Sequence, residues 1–84
     1  MLNPSYRHVA QRVRERYDTH LSWHDYHRIA RLIHDDLPSL PTRPARGNRV
    51  IVEYPHHGRP IRWIYCPRQR RLCTALAPRQ EKRR

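Results

Sequence analysis

The chain has 84 residues, enough for one domain around one modest core. It carries a formal charge of +11, 37% apolar residues and only two glycines. No apolar run is long enough to cross a bilayer as a helix, and no glycine-rich phosphate loop is available, which leaves ATPase and dehydrogenase readings without support.

Asn3-Pro4 predicts a helix start, Asn as cap and Pro at the first helical position. Tyr6, Val9, Ala10, Val13 and Tyr17 follow at helical spacing and form one apolar stripe. Beside that stripe His8, Arg12 and Arg16 recur every four residues and share a face. Ser22 caps a second helix, with Asp25 three positions on as a weak capping box. Its predicted buried face is Trp23, Tyr26, Ile29, Ala30, Ile33 and Leu37, and Pro38 ends it.

Residues 38–48 hold three prolines without periodicity and read as a connecting loop. Three strands follow, over 49–54, 60–66 and 72–77, separated by turns at "PHHG" and "PRQRR". A turn centred on His56-His57 pairs Val52 with Ile61 and Val50 with Trp63; one centred on Gln69-Arg70 pairs Tyr65 with Thr74 and Cys66 with Cys73. One face then carries Val50, Val52, Tyr54, Ile61, Trp63, Tyr65, Thr74 and Leu76, and the other Ile51, Ile64, Cys66, Cys73 and Ala75. Both are fairly apolar, so either could meet the helices. The expected fold is α+β: two N-terminal helices on a three-stranded antiparallel β-meander, a single domain over 1–77 with a basic tail at 78–84.

Seventeen of the eighteen basic residues are Arg, whose planar fork matches phosphate and stacks on bases. The partner class indicated first is RNA or DNA, then an acidic protein. The opening residues lack a signal-peptide core, so a cytoplasmic setting with free thiols is expected, and no membrane partner.

His beside Arg suits metal-independent RNA cleavage: His moves protons near neutral pH and Arg stabilises charge developing on phosphate. On spacing alone the row fits a solvated, Arg-rich helix face better, with His8 merely a neighbour. Arg59, Arg62, Arg68, Arg70 and Arg71 on the strands and turns could follow a phosphate backbone, with Tyr54 or Tyr65 to stack a base. His24 and His27, three apart around Asp25, lack metalloprotease spacing and read as surface residues. His56, His57, Cys66 and Cys73 lack zinc-knuckle spacing, so no metal and no cofactor are expected.

Three stretches, "SYRHVAQRVRER", "LSWHDYHRIARLI" and "HHGRPIRWIYCPRQRRLCTAL", together resemble small bacterial and phage RelE-like domains of the barnase–EndoU–colicin–RelE grouping, over about residues 5 to 77. The resemblance implies a metal-independent endoribonuclease or an inactive relative. By position it makes His8 an acid/base candidate, Arg12 a phosphate holder and Thr74 a hydroxyl contact to phosphate, and it aligns Arg62 and Tyr65 with the central strand. An antitoxin is then a further expected partner. The alternatives are a non-catalytic RNA- or DNA-binding protein and a small phage effector, such as an anti-CRISPR, that binds a host nucleoprotein complex.

Overall fold

The computed structural model describes residues 4–78; the Asn3 cap and the basic tail from 79 onward lie outside the described residues. Helix α1 spans Pro4–Tyr17 and α2 spans Trp23–Asp36, followed by a short 3-10 turn over Leu37–Ser39. The strands are β1 (Thr42–Pro44), β2 (Val50–His56), β3 (Arg59–Cys66) and β4 (Arg71–Leu76). They form one antiparallel sheet in the order β1-β2-β3-β4.

Both helices end and begin for local reasons. Asp18 adopts a left-handed φ of 52° and its N–H returns to Arg14 O at 3.0 Å, closing α1. Ser22 Oγ accepts from Asp25 N at 3.0 Å and opens α2.

The sheet has four strands where three were expected. Thr42, Arg43 and Pro44, assigned to a loop, pair with Val52, Ile51 and Val50. Proline is tolerated there because β1 is an edge strand, where a missing N–H need not interrupt the ladder. The first hairpin turns at His57-Gly58, both with positive φ (54° and 73°), the conformation of a type I′ turn. Val52 therefore pairs with Trp63 and Val50 with Tyr65. The register differs from the expected one by two residues, an even number, so every β2 and β3 side chain keeps its expected face.

The second hairpin departs further. A bulge lies between Ile64 and Tyr65, with Ile64 opposite Thr74 and Tyr65 opposite Leu72, which leaves Cys73 without a partner in the ladder. Cys66 faces Arg71, not Cys73, and both cysteines are free thiols. Leu72 and Ala75, three apart, both reach the core, while Thr74 and Leu76 leave the face assigned to them.

The helices cover the face bearing Val52, Ile61, Trp63 and Tyr65. The core joins these to Val9, Val13, Tyr17, Leu21, Tyr26, Ile29, Ile33, Leu72 and Ala75. Each fully buried large side chain contributes about 1.5–3 kcal/mol by leaving water. With no Phe in the chain, the aromatic core is Tyr and Trp, and each buried polar tip has a partner. Tyr26 Oη donates to Leu72 O at 3.3 Å, Trp63 Nε1 donates to Tyr54 O at 3.1 Å, and Tyr65 Oη meets His34 Nδ1 at 2.8 Å. Trp23, expected inside, is 47% exposed. As the first residue of α2 it lies over Tyr6 and Tyr26 instead of beneath them, edge-on to the first at 5.3 Å and stacked on the second at 6.1 Å.

Candidate functional site

Helix α1 lies along β4, the free edge of the sheet opposite β1. At this end of β4, α1 supplies side-chain donors to two backbone carbonyls. Arg16 Nη1 donates to Ala75 O at 2.7 Å and Tyr17 Oη to Leu76 O at 2.7 Å. This docking brings His8, two face-steps before Arg16 on α1, to Thr74: His8 Nε2 lies 3.0 Å from Thr74 Oγ1 across 66 residues of sequence.

His8 is exposed and Thr74 half-buried, so the pair is accessible. In the tautomer with the proton on Nε2, Nε2–H donates a hydrogen bond to Thr74 Oγ1, and the Nδ1 lone pair remains as a base. The Thr74 hydroxyl still has its own hydrogen to donate to an incoming anion.

Arg12, the next residue along the row, pairs with Glu15 at 2.8 Å. Glu15 also accepts from Gln11 Nε2 at 2.9 Å, and these bonds, Gln11 first and Arg12 second, hold its carboxyl below the usual range. An exposed pair of this kind is weak, and the Arg12 fork keeps free donors for a phosphate.

The remaining basic candidates divide by what they touch. Arg16 is committed to Ala75 O, Arg59 donates from Nη1 to Tyr17 O, and Arg62 donates to Ala77 O at 3.1 Å. These three stitch the sheet to α1 or to the chain beyond β4. Arg71 is half-buried, with a buried Nε that has no partner. Arg68 and Arg70, in the β3–β4 turn, are exposed. Tyr65 cannot stack a base: it is fully buried, and burial pushes its hydroxyl pKa up. Tyr54 remains half-buried and donates to Asp36 Oδ2 at 3.2 Å.

Sequence reasoning passed over a cleft of about 600 Å³ between α2 and the β3–β4 turn. His24, His27, Arg28, Arg31 and His34 line it from the helix, and Arg70 closes it from the β3–β4 turn. The signal was present as a basic i, i+3, i+4, i+7 row, but its partner Arg70 comes from the far end of the chain. Trp23 continues the row, with its ring 4.2 Å from that of His27. It is the exposed aromatic that Tyr65 is not.

Comparison with known protein families, with curated proteins and with solved structures returned no match for this chain.

Proposed function

We propose that this protein binds single-stranded RNA and cleaves it without a metal, as an endoribonuclease of the RelE-like kind. The observation that carries this reading is the approach of His8 Nε2 to Thr74 Oγ1 at 3.0 Å on an accessible edge, with Arg12 one step along the same helix row. Thr74 orients the imidazole and donates to a non-bridging phosphate oxygen. His8 Nδ1 takes the proton of the 2′-hydroxyl, whose oxygen attacks the adjacent phosphorus. The P–O5′ bond breaks, solvent protonates the leaving 5′-oxygen, and the products are a 2′,3′-cyclic phosphate and a 5′-hydroxyl. Arg12 stabilises the charge that develops on the phosphoryl oxygens.

The +11 charge supplies affinity for the backbone, and the α2 cleft with Trp23 at its end gives a strand a groove and a stacking surface. Arg70 precedes Thr74 by four residues, at most about 14 Å of extended chain, so one strand can reach both regions. End-group analysis of the products tests the reaction. Cyclic phosphate ends produced by the wild type, and absent with His8→Ala and Thr74→Val, are expected; linear 3′-hydroxyl ends contradict it.

A non-catalytic RNA- or DNA-binding reading rests on the engagement of Arg12 by Glu15. In that case the same surface binds nucleic acid and leaves it intact.

A further inference from the structure

At the other end of the β2–β3 hairpin lies a group of side chains that the proposed reaction does not use. Asp25 of α2 and the consecutive His56 and His57 each offer a ligand atom, and these atoms lie within 4.8 Å of one another. His56 is only 2% exposed, yet its Nδ1 is buried with no hydrogen-bond partner. A buried polar atom without a partner is unfavourable, because it has lost its water and gained nothing in return. Its other nitrogen, Nε2, lies 2.9 Å from His20 O. A carbonyl can only accept, so Nε2 donates to it, and in the neutral imidazole Nδ1 then holds the lone pair. Metal-binding histidines are fixed in this way, one nitrogen donating to a backbone carbonyl and the other left bare for the ion.

His57 stacks on His56 with ring centroids 4.0 Å apart, and His57 Nε2 lies 3.9 Å from Asp25 Oδ2. Arg28 takes the other oxygen, Oδ1, at 3.1 Å and holds the carboxylate in place. We propose that Asp25, His56 and His57 form a binding site for a first-row divalent transition ion such as zinc, coordinated by two imidazoles and one carboxylate. The ligand set selects the class. Magnesium and calcium want several oxygens, and one carboxylate beside Arg28 in a +11 chain does not hold them. Imidazole suits zinc, nickel, copper and iron.

Tetrahedral ligands at about 2.0–2.1 Å from zinc stand about 3.3 Å from each other, so the group must close slightly around the ion. His57 can make that movement, being exposed in a two-residue turn. The ion would tie the β2–β3 turn to the first turn of α2, and the position facing solvent would hold water. The site shares no residue with His8, Arg12 or Thr74, so its test is independent of the RNA reading.

Calorimetric titration of the purified, metal-stripped full chain with zinc tests the site, alongside thermal melting. Expected is one saturable equivalent, a rise in Tm on binding, and affinity at least tenfold weaker in His57→Gly and in Asp25→Asn. His57→Gly keeps the turn foldable, because glycine readily adopts the positive φ found there. A His24→Ala/His27→Ala variant and a Cys66→Ser/Cys73→Ser variant should bind as the wild type does. No saturable binding at millimolar zinc, binding unchanged by His57→Gly, or loss of binding in either control variant would overturn the assignment.

Discussion

The hydroxyl of Tyr17 stands between Arg62 N and Leu76 O, accepting from the first at 3.1 Å and donating to the second at 2.7 Å. Arg62 and Leu76 are register partners, so a side chain from α1 occupies the last rung of the β3–β4 ladder. Helix and sheet edge are thereby locked together at the end of the strand that carries Thr74. Tyr17→Phe keeps the ring and leaves both backbone groups without that partner. A loss of about 1–3 kcal/mol is expected, read as a lower urea midpoint with unchanged slope. A midpoint equal to wild type would show that water replaces the hydroxyl at no loss.

The cysteines give a second prediction. The bulge at Cys73 sets Cys66 opposite Arg71, and burial pushes the Cys73 thiol up, with Arg49 and Arg71 opposing. A raised pKa means little thiolate at neutral pH. Cys73 should alkylate with iodoacetamide more slowly than a free cysteine, followed by mass spectrometry of the native protein. A rate above that of free cysteine contradicts this environment.

The acid limb of stability depends in part on Asp25. Its folded pKa lies below the ordinary 3.8, so its contribution is complete above that value and is lost as pH falls through the folded value. Asp25→Asn should be less stable than wild type near neutral pH and should lose less stability on acidification. Parallel acid limbs for the two proteins would contradict the assignment.

Much of the architecture was legible from local signals. The stripe from Tyr6 to Tyr17, the Ser22 cap and the alternation in β2 and β3 each depend on neighbours in sequence, and the structure contains all of them. What escaped depends on distant partners. Thr42–Pro44 becomes a strand only because β2 offers it a free edge. The β4 bulge exchanges Thr74 for Ala75 on the core face, and nothing in "RLCTAL" announces it. Without that exchange Thr74 would point into the core. With it, Thr74 meets His8, a pairing that the helix row alone could not reveal. Arg16 and Arg59 looked like phosphate ligands because composition does not show that backbone carbonyls already hold them.

That division of the arginines is itself testable. Arg68→Ala/Arg70→Ala should weaken single-stranded RNA binding with little change in Tm. For every phosphate that goes unneutralised, the slope of log affinity against log salt should flatten by about 0.7. Arg16→Ala and Arg59→Ala should act mainly on Tm, because they remove donors to carbonyls of β4 and α1. Fluorescence anisotropy across a salt series, paired with thermal melts, separates the two groups. The reverse pattern would exchange their roles.

The most direct measurement is RNA integrity in EDTA, comparing wild type with His8→Ala at matched folded concentration. Expected is discrete cleavage by the wild type and intact RNA with the variant, because the His8–Thr74 pair supplies the base and no ion is needed. Equal cleavage by both proteins, or intact RNA with both, would contradict the role given to His8.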